Sequence, residues 1–491
     1  MLWCSLPELS LIVGLIMIIL YGLFSLNSAT IESQPGQNQK NVHAIQHIKL
    51  VNMHLCDVYF FSRLWPIMFL LGYAIDFTII ESTSLLSTIA YPTNNGIDIL
   101  LIILTVVIMQ SFRSFESILL LLLAFIGQIF MLHSCDLVSF YICLEIQNFA
   151  FLVLCGLQPR TLNINKIATV ISNRPLAGVE ASIKYLLLSA FSSGVLLFWF
   201  SVLYLRTGIT TLSFGPLTAT SFDSDSFIDY IPQMLILIAL MFKLGGAPLH
   251  IWMIDIYGGV KRQLIMYIAT APKLSLFGFW ISTWHSVWTD FTVIMFVAFS
   301  MIIGCIGAYN QPTLRALFAY STVNEIGLML MAIETAGFHS LLQHLTIYIV
   351  SMLLLWNNSD KRLFALLAIS LAGLPPLAGF FGKAFIFNSV AIGAMAGPYV
   401  GILVISLLCT GLSLVYYLRV FRLFSMGIAS NNQILPAGLV GLDSNTSVVH
   451  NMNINTRSYS YTALDLNDKL TSACIVFLIF APLFIIKPFV L

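Results

Sequence analysis

Lys184, Lys243, Lys273 and Lys383 each lie in a stretch built otherwise from apolar residues, and Glu145 lies in a fifth. A charge at the centre of a bilayer costs roughly 2.5–3.5 kcal/mol on insertion scales, so such groups face protein or water and often mark an ion or proton path. The chemistry open to them is proton transfer. An ammonium group carries a proton that burial makes costly and that a nearby carboxylate stabilises. Moving the carboxylate towards or away from the lysine therefore changes proton affinity with no redox centre involved. Histidine as a residue type titrates near neutrality, so His250 and His344 can pass protons on or can serve as satisfied polar groups of the interior. A structural ion pair between two helices is the plainer account of Glu145 and a lysine. Lys184 stands near a helix end, where its stem can carry the charge to the interface.

The elements that position these groups carry two irregular segments. One is Phe242-Lys243-Leu244-Gly245-Gly246-Ala247-Pro248-Leu249-His250-Ile251-Trp252. The other is Leu371-Ala372-Gly373-Leu374-Pro375-Pro376-Leu377-Ala378-Gly379-Phe380-Phe381-Gly382-Lys383. Glycines and proline inside an apolar run interrupt the helical hydrogen bonds. At membrane depth this is tolerated only where protein or water supplies new partners. One such segment alone is explained by a packing kink. Two of them, each with a lysine, are what a transport path between repeated halves requires.

Composition sets the class. The chain has 491 residues, is 59% hydrophobic and only 9% charged, with a mean hydropathy of +0.93. A soluble domain is about 25% charged, so the class is an all-α polytopic membrane protein. A net charge of +1 argues against a nucleic-acid partner. The eight cysteines form no C-x-x-C and lie in or beside apolar runs, so they read as packing residues rather than ligands. No P-loop, dinucleotide fingerprint or haem or iron–sulfur cysteine pattern is present. A proton-moving chain of this kind draws its energy from an ion gradient or from partner subunits.

A span needs roughly 20 apolar residues. About fourteen candidates fit, at 6–26, 57–80, 96–112, 115–134, 137–157, 182–204, 230–252, 262–282, 290–308, 313–332, 338–356, 363–390, 395–424 and 471–491. The first is too long and lacks the basic flank of a cleavable signal, as expected of a product made in the compartment that owns the membrane. Polar stretches at 27–50, 158–180 and 425–470 interrupt the pattern, and the last reads as a long exposed loop. Sixteen of the 22 Lys and Arg fall in or beside the odd-numbered connections and two in the even-numbered ones or near the C-terminal end; the four buried lysines complete the set. The positive-inside rule then places both termini on the outer, positive side.

The runs D-L-V-S-F-Y-I-C-L-E, F-K-L-G-G-A-P-L-H-I-W, L-R-A-L-F-A-Y-S-T-V-N-E-I-G and L-A-G-L-P-P-L-A-G-F-F-G-K follow one another in that order. Together they resemble the antiporter-like subunits of respiratory NADH:ubiquinone oxidoreductase (complex I), a superfamily shared with multisubunit cation/proton antiporters. The resemblance covers roughly residues 115–424. It looks like the branch that keeps lysine, not glutamate, at the place of Lys383 and has no lateral helix after its last spans.

The resemblance implies two inverted five-helix repeats at 115–282 and 290–424, after an N-terminal three-helix segment at 1–112. A polar loop at 425–470 and a C-terminal helix at 471–491 complete the chain. It implies a relay in which Lys243 pairs with Glu145 and passes protons through Lys273 to Lys383, with Lys184, His250 and Glu325 beside it. Glu325 is a departure, since such subunits often carry histidine or a neutral polar residue there. Its carboxylate can join the relay or pair with Arg315 or Lys383. The resemblance places no cofactor on this chain; NADH, FMN, iron–sulfur clusters and ubiquinone belong to other subunits. The implied partners are other membrane-arm subunits, antiporter-like and small, together with lipids. The implied location is the mitochondrial inner membrane, with the bacterial plasma membrane as the alternative. A subunit of a cation/proton antiporter is the second functional expectation.

Overall fold

The computed structural model describes residues 11–19, 70, 94–112, 115–157, 174–208, 210, 227–281, 290–335, 337–357, 361–393 and 398–425. The expected span 57–80, the loops 27–50 and 425–470 and the last span 471–491 lie almost wholly outside them.

Every described element is helical. Beyond a helical stretch over 11–19, the helices are α1 (Asn94–Met109), α2 (Phe115–Leu132), α3 (Leu137–Gly156), α4 (Arg174–Thr207), α5 (Phe227–Leu244), α6 (Ile251–Gly259), α7 (Arg262–Phe279), α8 (Asp290–Asn310), α9 (Leu314–Glu334), α10 (Phe338–Asn357), α11 (Lys361–Ala372), α12 (Ala378–Gly393) and α13 (Pro398–Ser425). Six of the described helices are long and apolar enough to cross a membrane, and five shorter apolar ones accompany them. Eight expected spans coincide closely with one helix each. The two with internal glycine and proline, 230–252 and 363–390, are instead each split into two helices. Helix α4 starts well before its expected span, because Pro175 suits a first helical turn and Arg174–Ala181 continues the helix past the apolar run.

Hydroxyl groups inside the spans satisfy themselves locally. Ser192, Thr270, Ser300, Ser321 and Ser351 each donate to a carbonyl three or four residues back on their own helix. This removes the cost of an unmatched polar group in an apolar setting. The enclosed ionisable side chains of the second unit instead draw partners from other helices, as Glu325 does from two.

The chain forms two compact units. The first comprises residues 1–171, 207–217 and 271–283; the second comprises 172–206, 218–270 and 284–491. In the first, α2 packs on both α1 and α3. Phe140 of α3 stacks on Phe279 of α7, with ring centroids 4.1 Å apart. Asp136 precedes α3, and its backbone N–H donates to the Ser139 hydroxyl at 3.3 Å, a capping contact for the first turn.

In the second unit α9 is the central helix. Its span is 89% buried, against 28% for α13 and 33% for α4. It is covered by α8, α10, α12 and α6. A helix enclosed on all sides cannot be amphipathic, and α9 accordingly has buried residues all round. Glu325, near the middle of this helix, is therefore surrounded by protein.

Candidate functional site

Two discontinuous helices organise the second unit. The first is α5 and α6 with Gly245–His250 between them; the second is α11 and α12 with Gly373–Leu377 between them. Each α-helical run ends at a glycine with positive φ, +81° at Gly245 and +84° at Gly373. A left-handed glycine is the usual way to end a helix. Three residues after each glycine comes a proline, Pro248 and Pro376, each preceded by a cis peptide bond.

A break frees carbonyls at the end of its first half, and side chains from the second half capture them. Trp252 of α6 donates its indole N–H to the Phe242 carbonyl at 2.9 Å. Lys383 of α12 donates to the Leu371 carbonyl at 2.7 Å. The captor is neutral at the first break and charged at the second. Lys243 then stands in the last turn of α5, where the helix dipole favours a cation. It is buried and donates to the Ser189 carbonyl of α4 at 3.3 Å.

At the second break three helices meet around a carboxylate. Glu325 of α9 is 2% exposed. Its Oε1 lies 3.0 Å from Lys383 Nζ, and its Oε2 lies 2.9 Å from Nε2 of the buried His344 on α10. One carboxylate thus bridges two bases, each with its own backbone environment. A proton held by either base has a negative partner in contact, and the same carboxylate serves both. This is a short proton-sharing chain fixed by helix packing rather than by loops.

This geometry decides between the two expected partners of Glu325. Arg315 is ten residues earlier on the same helix, about 15 Å along it. Its guanidinium Nη1 donates to the Gly258 and Val260 carbonyls at 3.2 and 3.1 Å, closing the C-terminal end of α6. Arg315→Ala removes both bonds and is expected to loosen α6 by about 1–3 kcal/mol. Faster amide exchange over residues 251–260 in the assembled membrane protein is the measurement. Arg315→Lys, with a point charge in place of a fork, is expected to recover less than half of the protection.

The remaining expected residues fall as follows. Lys273 of α7 is buried, at 4% exposure. His250 is buried at the start of α6, with Nδ1 3.2 Å from the Pro248 carbonyl and its ring 5.5 Å from that of Tyr320 on α9. Glu145 of α3 is half-buried and accepts from Asn148 Nδ2 at 3.1 Å. Glu145 belongs to the first unit and Lys243 to the second. Lys184 is not enclosed: its side chain is 45% exposed and reaches Glu180 at 2.9 Å and Asp255 at 3.4 Å. Glu180 lies one turn earlier on the same outward face of α4, a pairing that the i,i+4 spacing makes local. Among the described residues no three His, Cys, Asp or Glu side chains gather as a metal site.

Sequence reasoning overlooked Asp255 and Glu180 as the partners of Lys184. It also missed a pair in the first unit, the wholly buried Asp98 with His133 at 3.1 Å. The signal for Asp98 was present, as an acidic residue in the apolar run Gly96–Met109.

Comparison with known proteins gives the family. Residues 134–361 match the family described as NADH:quinone oxidoreductase/Mrp antiporter, TM. NADH-ubiquinone oxidoreductase chain 2 of Chlamydomonas reinhardtii is 45% identical over 486 residues, covering 99% of this chain and 100% of the relative. NADH-quinone oxidoreductase subunit N 1 of Acidiphilium cryptum is 30% identical over 63% of this chain and 68% of its own length. In fold, a chain of respiratory complex I from Thermus thermophilus with bound aureothin superposes with a TM-score of 0.61, at 22% identity, covering 76% of this chain and 87% of that one. The likeness in sequence runs the full length of the Chlamydomonas relative, and the chain belongs to the family of chain 2 of NADH-ubiquinone oxidoreductase, a membrane subunit of respiratory complex I.

Proposed function

We propose that the chain translocates protons through a buried Lys/Glu relay, driven by NADH-to-quinone electron transfer in other subunits of complex I. The observation that carries this is the Lys383–Glu325–His344 chain at a broken helix. Three ionisable groups in contact and enclosed by protein fit proton handling rather than chemistry on a substrate. Lys243, in the last turn before the other break, pairs in this scheme with Glu145 when its carboxylate is presented. Lys273 receives the proton and passes it towards Lys383. Lys184 and His250 serve at the edges of the path.

The same reading supplies the finer organisation. The glycine-to-proline spacing common to the two breaks supports two inverted five-helix repeats, at 115–282 and 290–424, within about fourteen spans. NADH, FMN, iron–sulfur clusters and ubiquinone are held by other subunits, and the partners are neighbouring antiporter-like and small membrane subunits and lipids. A mitochondrial inner-membrane location follows the name of the Chlamydomonas relative, with both termini on the intermembrane-space side. The antiporter alternative is not favoured, since the relative matched over its whole length carries the oxidoreductase name.

The test is Lys243→Ala in the intact enzyme, purified and reconstituted in liposomes. Protons moved per NADH oxidised are expected to fall, while oxidation with an uncoupler present continues. Full native stoichiometry in that variant would refute the role.

A further inference from the structure

A second acidic pair lies in the first unit, outside every group used above. Asp98 is the fifth residue of α1 and is 0% exposed, yet it is a carboxylate in an apolar helix. His133 follows directly on the end of α2, and its Nε2 lies 3.1 Å from Asp98 Oδ2. The histidine side chain is 26% exposed, so one half of the pair is enclosed and the other reaches the surface of the chain. Neither Asp98 oxygen has a hydrogen bond among the described residues, so its approach to His133 is an ion-pair contact.

The packing of the unit fixes what lies behind this pair. Gly278 of α7 is pressed against Leu132 of α2 and Ile97 of α1, so the end of α7 is level with Asp98 and His133. Gly127 of α2 is pressed against Cys143 and Gln147 of α3, at 2.9 and 3.3 Å from a would-be Cβ. Counting 1.5 Å per residue from those contacts, Gln128, Glu145 and Lys273 share one layer roughly 8–12 Å deeper than the pair. Gln128 and Lys273 are buried there, and Asn148 and Gln147 are buried beside Glu145. The other ionisable groups of the described first unit at the level of the pair are Cys135, whose thiol donates to the His133 carbonyl, and Asp136, which precedes α3. A buried structural pair needs no polar layer behind it and no exposed member. A proton entry or exit needs both.

We propose that Asp98 and His133 form a proton port, taking up or releasing protons between the Gln128–Glu145–Lys273 layer and the membrane face at which α2 ends and α3 begins. The port rests on the relay proposed above. In the proposed orientation that face is the intermembrane-space side, and the port is its opening for the first half of the chain. Asp98 orients the imidazole and stabilises its charged form; His133 exchanges the proton with water.

The experiment uses intact complex I in proteoliposomes, with coupled NADH oxidation and proton movement recorded together. His133→Ala is expected to slow coupled turnover roughly tenfold, since water replaces a positioned base only in part. Added imidazole, a soluble proton carrier, is expected to restore most of that rate in His133→Ala and none in the Lys243→Ala control. Asp98→Asn, isosteric at the buried position, is expected to slow turnover without imidazole rescue. Native coupled rates in both port variants, or a loss in His133→Ala that imidazole leaves unchanged, would overturn the port. If Lys243→Ala lowers the stoichiometry while His133→Ala and Asp98→Asn behave as native, only the port is refuted. If Lys243→Ala is itself native, the relay and its port fall together.

Discussion

Glu325→Gln is expected to deplete assembled enzyme and to abolish pumping through this subunit. The substitution keeps the shape of the side chain and removes the charge between Lys383 and His344. Removing one partner of a buried ion pair costs about 3–5 kcal/mol, because the other charge stays enclosed without compensation. Lys383 then keeps the Leu371 carbonyl, a neutral acceptor, in place of its carboxylate partner. The cost is read as loss of the NADH-oxidising band on native gels and as a lower melting temperature of what assembles. A second substitution separates stability from function. Glu325→Gln with Lys383→Met removes both charges, and neutral replacement of a buried pair is often close to neutral in stability. The double variant is expected to regain most of the assembled enzyme and to remain defective in pumping. If Glu325→Gln alone melts within about 1 kcal/mol of the native enzyme, the pair is not ionised as described.

That expectation was only half legible in the amino-acid order. The apolar stretch Leu314–Glu334 announces a span, and a carboxylate inside it announces a function. Hydropathy does not say which of the spans is enclosed, and α9 differs from α13 in burial far more than in apolar content. The partner of Glu325 depends on that enclosure. Lys383 and Arg315 are both cations at plausible depth, and only the packing of α12 against α9 brings the first into contact. His344 sits one residue type away from being an ordinary polar group of an interface. Its place 2.9 Å from the carboxylate is a property of the α9–α10 packing, which no local pattern encodes.

The converse holds for Lys184. Its setting in Ile183-Lys184-Tyr185-Leu186-Leu187 looks as enclosed as that of Lys243 in Met241-Phe242-Lys243-Leu244. Lys243 is buried in the second unit, whereas Lys184 lies on an outward face with Glu180. The distinguishing signal was the acidic residue four positions earlier, which marks a face that satisfies its own charge. The breaks, by contrast, were fully legible, because proline and glycine act on the backbone of their own segment and need no tertiary context. What the order of residues did not show is the capture of a carbonyl before each break, that of Phe242 by Trp252 ten residues on and that of Leu371 by Lys383 twelve residues on.

The second of those captures makes Gly373 a backbone position on which the placement of Lys383 depends. A side chain at φ +84° is strained, by roughly 1–2 kcal/mol for an unbranched residue. A Cβ there also lies 3.2 Å from Cδ of Lys383, the very stem that reaches the Leu371 carbonyl and Glu325. Gly373→Ala is therefore expected to leave an assembled enzyme that oxidises NADH with fewer protons moved per electron. Gly373→Val adds a branch at a conformation such residues rarely adopt, and is expected to remove the subunit from the assembled enzyme. Gly245 supplies the control, since its φ of +81° is nearly the same. A Cβ at Gly245 meets the terminal Cε of Met253 at 2.8 Å, a flexible thioether end that can turn aside. Gly245→Ala thus carries similar backbone strain without pressing on a lysine of the relay. Melting temperature and proton-to-electron ratio, measured on both alanine variants, separate the two effects. Equal losses of stability with a pumping defect confined to Gly373→Ala are expected. An equal pumping defect in both would show that backbone strain at a break, rather than the position of Lys383, governs transport.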